Sequence, residues 1–189
     1  MTESIISTRP LTRADLHPDK SASLTTQEYG RKARIDGVRL ESVGRFTEDG
    51  GSFSELLRLS EGKIALFPGF EVLQVNYSDM EPGVVKAWHV HFQQEDVWFV
   101  PPINKILVGL YDLRKDSPTC GETMRFVMGE GQAQLLLIPR GVAHGATNLS
   151  GSRQILMYFV NNQFNAENPD EQRLDPFILG REFWALNHG

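Results

Sequence analysis

The sequence predicts an all-β domain, an antiparallel sandwich or barrel. Three observations carry this expectation. Short runs of β-branched, aromatic and leucine residues recur from residue 36 onward, each is closed by Gly, Pro, Asn or Asp, and almost no stretch shows an amphipathic helical period.

Along the chain, residues 1–34 are polar, carry Pro10 and Pro18, and hold no sustained helical or strand period. They read as an N-terminal arm, with the folded domain occupying 35–189. The clearest strands fall at 70–77, 84–91, 97–100, 105–113, 134–138 and 154–160. Short helices are expected only at 168–174 and 178–186, and no internal repeat or low-complexity tract interrupts the pattern. Successive side chains of a strand point to opposite faces. His89, His91 and Glu95 share odd parity while Trp88, Val90 and Phe92 take the other face, so two imidazoles and a carboxylate are expected on one interior wall.

Composition bounds the function classes. The 189 residues carry 19 Lys+Arg against 24 Asp+Glu, a formal net charge of -5, and no basic cluster longer than Arg31-Lys32 or Arg114-Lys115. A nucleic-acid partner is not expected of such a chain. The single cysteine, Cys120, leaves no internal disulfide framework and no cysteine-rich zinc site, which fits a reducing compartment. The first residues lack a basic segment followed by an apolar run, and no stretch approaches the ~18 apolar residues of a membrane span. The expectation is a cytoplasmic protein with no membrane partner.

Five histidines are an ordinary number, but three fall in two short motifs. From Gly83 the chain gives five residues, His89, one residue, His91, three residues and Glu95; later it gives Pro139-x-Gly141-x-x-His144-x-x-x-Asn148. These spacings resemble the two motifs of the cupin superfamily, whose fold is a small antiparallel jelly roll. Pro102 and Ala133 stand where that pattern has glycines. The resemblance implies a divalent metal (Zn, Fe, Mn, Ni or Cu) held by His89, His91, Glu95 and His144. Imidazole and carboxylate suit those ions, and incomplete protein coordination leaves room for substrate. On the residues alone, His89 and His144 as hydrogen-bonded or catalytic histidines without metal, with Glu95 at the rim, is an equal alternative.

A longer resemblance covers about 35 to 184. Asp36-Gly37-Val38-Arg39-Leu40, Phe53-Ser54-Glu55-Leu56, Gln74-Val75-Asn76-Tyr77-Ser78, Tyr111-Asp112-Leu113-Arg114 and Ile138-Pro139-Arg140-Gly141-Val142-Ala143-His144-Gly145 are similar to the dTDP-4-dehydrorhamnose 3,5-epimerase family, itself a cupin branch. It implies a homodimer with exchanged strands and a pocket for a nucleoside-diphosphate 4-keto sugar. Glu55, Gln74 and Asn76 would lie against the nucleotide, and His89 would be the catalytic base. Arg140 is a further candidate for a phosphate, and Tyr111 for donation into the pocket.

The same alignment exposes departures. The family arginine three residues before the base is Lys86, which keeps the charge and loses the bidentate fork. An earlier arginine falls at Gly50, the enolate-facing lysine at Val97 and the acid tyrosine at Phe164, and the carboxylate that orients the base has no counterpart beyond Trp184. Proton abstraction beside a carbonyl needs a base, a stabiliser for the enolate and an acid. Three readings therefore stand: an epimerase-like cupin enzyme with His89 as base and His144 and Lys86 assisting, aided or not by a metal; a metal-dependent cupin dioxygenase or isomerase acting on a small polar metabolite; and a non-catalytic sugar- or nucleotide-binding cupin. Fold alone does not choose among them.

Overall fold

The computed structural model describes residues 9–26 and 34–187. It divides the chain into two compact units, 1–31 and 32–189. In the first, a 3₁₀ turn, Arg13–Asp15, precedes a short helix, Pro18–Ser23, with a proline at its start. The sequence patterning showed neither; proline in the first helical turn supplies the fixed φ that opens such a helix.

The second unit is built from strands β1 (Arg39–Ser42), β2 (Phe46–Glu48), β3 (Gly51–Phe53), β4 (Leu59–Ser60), β5 (Lys63–Ile64), β6 (Gln74–Met80), β7 (Val85–Val90), β8 (Asp96–Phe99), β9 (Lys105–Asp112), β10 (Thr123–Gly129), β11 (Gln134–Ile138), β12 (Val142–Thr147), β13 (Gln154–Val160) and β14 (Gln172–Arg173). Two five-stranded antiparallel sheets form a jelly roll, one in the order β1-β11-β8-β13-β6 and the other in the order β10-β9-β12-β7-β14. Hairpins β2–β3 and β4–β5 stand apart from them. The helix expected over 168–174 is instead the edge strand β14, paired with β7 through Gln172↔Val90 and Arg173↔His89. Its neighbour supplies the backbone partners that a seven-residue polar stretch cannot supply for itself as an isolated helix. Near 178–186 a 3₁₀ helix, Arg181–Trp184, does form.

Strand parity assigns three apolar layers. Between the sheets, Trp98, Ile106, Val108, Leu110, Leu136, Val142, Ala146 and Leu156 form the central core. The opposite parity of the first sheet sends Val97, Phe99, Leu135 and Phe159 outward against Ile64, Phe67 and Phe70. That of the second sends Ala87, Trp88, Val90, Leu107 and Ala143 outward against Trp184, Phe183 and Leu174 of the C-terminal segment. Close packing of the C-terminal segment requires Gly109, where a Cβ would lie 2.6 Å from the Phe183 and Trp184 rings. Among the described residues no helix is long and apolar enough to cross a membrane.

One polar knot secures the end of β9. The fully buried Asp112 carboxylate accepts hydrogen bonds from Arg114 N (3.1 Å), Nε (2.8 Å) and Nη2 (2.8 Å), Ser117 Oγ (2.6 Å) and Thr119 Oγ1 (2.7 Å). Arg114 Nη2 also donates to the Asp36 carbonyl at 2.7 Å, which ties the start of the unit to this corner. The Arg114 guanidinium, with the two hydroxyls, holds Asp112 well below the usual carboxylate range. Asp112→Ala would leave these donors without an acceptor. A loss of about 3 kcal/mol is expected, read as a lowered midpoint in urea unfolding with an unchanged slope.

Candidate active site

The central core is apolar at one end and polar at the other, where the sheets enclose a cavity of about 660 Å³. Its walls come from both sheets: Gln74, Asn76, Ser78, Asp96, Trp98 and Tyr158 on one side, Lys86, His89 and His144 on the other, with His91 beyond the end of β7. Asp170, Glu171 and Arg173, on and just before β14, line it as well.

A bulge puts Lys86 and His89 on the same wall despite their unlike parity. The β7–β12 register runs from His89↔His144 to Lys86↔Ala146, so Ala87 and Trp88 together oppose Gly145. A side chain at position 145 would clash with Ala87, so this close approach needs glycine. Alternation from 89 to 95 fails for a different reason. β7 ends at Val90, the chain turns, and β8 restarts the pattern with Asp96 and Trp98 facing inward.

The inward carboxylate is therefore Asp96, one residue from the Glu95 expected at a metal site. Glu95 lies outside the cavity, where its Oε2 accepts from Asn161 Nδ2 at 3.1 Å, its backbone N donates to Asn161 Oδ1 at 2.7 Å, and Arg140 Nε stands 3.6 Å from its Oε1. Arg140, paired in this way, does not line the cavity. Tyr111 does not line the cavity either: its parity on β9 places it in the outer layer, edge-on to Trp88 at 6.5 Å. Glu55 is bonded to Arg58 at 2.9 and 3.0 Å and does not line the cavity. Gln74 and Asn76 do line it, joined through Gln74 Nε2 donating to Asn76 Oδ1 at 2.7 Å. Lys86 Nζ donates to Ser78 Oγ and the Asp79 carbonyl, both at 2.8 Å. His17 is exposed in the N-terminal unit, and His188 lies outside the described residues.

His89 stacks nearly parallel to His144, with ring centroids 6.0 Å apart. Its Nδ1 is 3.2 Å from Glu171 Oε1, and Arg173 Nη1 donates to its Nε2 at 3.1 Å. Burial, then the neighbouring His144 and Arg173, lowers its pKa to about 4. Neutral His89 therefore carries its proton on Nδ1, donated to Glu171, and keeps its Nε2 lone pair on the cavity side. Glu171 thus sets a carboxylate beside this imidazole, where the sequence offered no candidate. A strand pattern with an acid and a base two residues apart, Glu171-x-Arg173, was the available signal, masked by the helical reading of 168–174.

A second group is tighter. The ligand atoms of His91, Asp96 and His144 all lie within 4.8 Å of one another, and all three residues are buried. His91 Nδ1 donates to the Asp170 carbonyl, and His144 Nδ1 donates to the Val142 carbonyl at 3.0 Å. A carbonyl only accepts, so both protons sit on Nδ1 in the neutral rings. Both Nε2 atoms then face Asp96, at 4.0 and 3.7 Å. Burial lowers the pKa of His144 and favours its neutral form. Two lone pairs and a carboxylate converging, each imidazole oriented by a backbone carbonyl, is a donor set that fits one divalent cation. His89 and Glu95 of the expected ligand set stand outside this trio.

The family model described as dTDP-4-dehydrorhamnose 3,5-epimerase matches residues 32–178. The chain belongs to this family. Among relatives of this chain, the spore coat polysaccharide biosynthesis protein SpsL of Bacillus subtilis (strain 168) is 42% identical over 140 residues, covering 74% of this chain and 89% of that protein. A probable low-salt glycan biosynthesis epimerase of Haloferax volcanii is 42% identical over 115 residues, covering 60% and 74%. In fold, the chain is similar to the dTDP-6-deoxy-D-glucose-3,5-epimerase of Legionella pneumophila, a structure in complex with dTDP-4-keto-L-rhamnose, with a TM-score of 0.68 at 22% identity over 83% of each chain. The chain is thus an epimerase-like enzyme with the jelly roll of its family.

The electrostatics of His89 give a direct check. Its folded pKa lies below the ordinary 6.5, so the stability it contributes is fully present above about 6.5 and is lost as pH falls through about 4. Nitrogen NMR of the histidine side chains should show His89 still neutral at pH 5, with its proton on Nδ1.

Proposed function

We propose that this enzyme epimerises a carbon next to the carbonyl of a nucleoside-diphosphate 4-keto-6-deoxy sugar, with His89 as the base. The observation that carries the reading is the Glu171–His89 pair, with a neutral imidazole opening onto a cavity large enough for a hexose and part of its nucleotide. The Legionella epimerase, whose structure holds a dTDP-linked keto sugar, and the two relatives of glycan and spore-polysaccharide biosynthesis support this substrate class.

In the proposed reaction Nε2 of His89 removes the α-proton, Glu171 steadies the imidazolium through Nδ1–H, and the electron pair moves onto the carbonyl oxygen. Arg173 occupies Nε2 in the free protein, so it must release that atom before chemistry, and the sugar's phosphates or carbonyl oxygen give the guanidinium its new partner. Val97, at the position of the family's lysine, is buried in the outer layer and reaches no substrate. The developing negative charge then falls to Lys86 and Arg173, the lysine and arginine among the described residues that line the cavity. His144, stacked on His89, assists by holding its ring. A homodimer in the cytoplasm completes the reading; the family resemblance supports the first and the lone Cys120 the second.

A second reading is favoured by the His91–Asp96–His144 convergence. These residues would hold one divalent metal, which as a Lewis acid would polarise the substrate carbonyl. Metal analysis of protein purified without added metal, with His91→Ala as the control, tests it. One equivalent of metal lost in the variant is the supporting result. No bound metal, with activity indifferent to chelator, overturns it.

For the leading reading, dTDP-4-keto-6-deoxyglucose incubated with the enzyme in deuterium oxide should gain deuterium beside the carbonyl. His89→Asn should abolish this, and absence of incorporation with the unsubstituted enzyme would refute the reading. Glu171→Gln should lower kcat by about 100-fold and also raise KM, because the carboxylate holds both the base and Arg173 at the cavity.

A further inference from the structure

Removal and return of a proton invert a carbon only if the proton comes back to the opposite face. His89 stands on β7, in the second sheet, and the wall that confronts it across the cavity is the first sheet. On that wall Tyr158 of β13 sits between Asn76 of β6 and Trp98 of β8, all three side chains facing the cavity. Phe164, at the position of the family's acid tyrosine, also lines the cavity but has no proton to give. Of the other tyrosines among the described residues, Tyr77 has the outward parity of β6 and is exposed, and Tyr111 lies in the outer apolar layer.

Tyr158 is partly buried against the central core, and its hydroxyl makes no hydrogen bond to any described residue. A half-buried hydroxyl without a protein partner is free to meet a ligand. Burial, reinforced by the negative charges of Asp96 and Glu171, raises its pKa above the ordinary 10.0 and keeps the phenol protonated at neutral pH. Tyr158 thus presents a proton donor on the wall opposite His89, in the strand that precedes Phe164.

We infer that Tyr158 is the catalytic acid, donating its phenolic proton to the sugar carbon on the face opposite His89. The assignment rests on the reading of His89 as base. In the balanced step, His89 Nε2 takes the α-proton as the C–H pair moves to the carbonyl oxygen, forming the enolate. The enolate then collapses to the ketone as its carbon takes the proton of Tyr158 Oη. The phenolate regains a proton from solvent and the imidazolium gives its own up, so no redox partner is needed.

The two halves of this step separate experimentally. In deuterium oxide with dTDP-4-keto-6-deoxyglucose, Tyr158→Phe should still exchange the α-proton from the His89 side, so deuterium appears with the original configuration. Formation of the inverted sugar should fall by about 100-fold or more. Tyr158→Leu, equally without a proton to donate, should do the same if the phenylalanine variant is unstable. His89→Asn should lose both exchange and inversion. Inversion at the unsubstituted rate in a Tyr158 variant would overturn the assignment, as would a folded variant that loses exchange together with inversion. No exchange by the unsubstituted enzyme would instead refute the epimerase reading itself.

Discussion

The Asp170 carboxylate is the point on which the active end of the jelly roll depends. Its oxygens accept the backbone N–H groups of Phe92 at 2.9 Å and of Gln93 and Gln94 at 2.8 Å, while its carbonyl takes the Nδ1 proton of His91. One residue thus satisfies the turn between β7 and β8, which has no ladder of its own, and sets the orientation of an imidazole. The three N–H donors also hold the Asp170 carboxyl below its ordinary range, despite the opposing effect of burial. Because Asp170 immediately precedes Glu171, fastening the turn also delivers the carboxylate that steadies His89. The pairing of β14 with β7 continues the same attachment to Arg173.

The rest of the molecule supplies rigid walls for that arrangement. Outer apolar layers on both sheets relieve the interior of most packing duty, since Trp88 and Val97 point outward from strands whose other faces carry His89 and Asp96. A polar cavity inside a small sandwich costs buried apolar area, and the outer layers offset part of that loss. The polar lining is also largely occupied with itself. Gln74 holds Asn76 and the backbone of Phe164, Trp98 Nε1 donates to Asp96 at 3.0 Å, and Lys86 is bonded to Ser78. A lining tied together in this way keeps its geometry between turnovers.

Much of this was legible in the sequence. The spacing of His89, His91 and His144 brought three imidazoles to one cavity, and the family resemblance pointed to Gln74 and Asn76, which line it with them. Parity failed where the chain left the strand. Two-residue alternation holds only while pairing persists, so Glu95 was carried inward on paper while the turn at 91–95 restarted the phase and brought Asp96 in its place. Arg140 and Tyr111 looked available because their partners, Glu95 and Trp88, are distant in sequence. Glu171 was hidden for a related reason: a polar stretch after Asn168 and Pro169 looks helical when the neighbouring strand that accepts it as an edge is not in view. Long-range pairing, invisible to local pattern, decided each of these.

The bulge opposite Gly145 gives β7 one more residue than its neighbour needs, and this surplus acts as a phase shifter within the strand. Upstream of it the inward position belongs to Lys86; downstream it belongs to His89. Were the strand regular at this same odd spacing, cation and base would face opposite walls; the surplus residue brings them back into phase. Spacing within this strand is thus a frame that carries chemical meaning, much as a codon does.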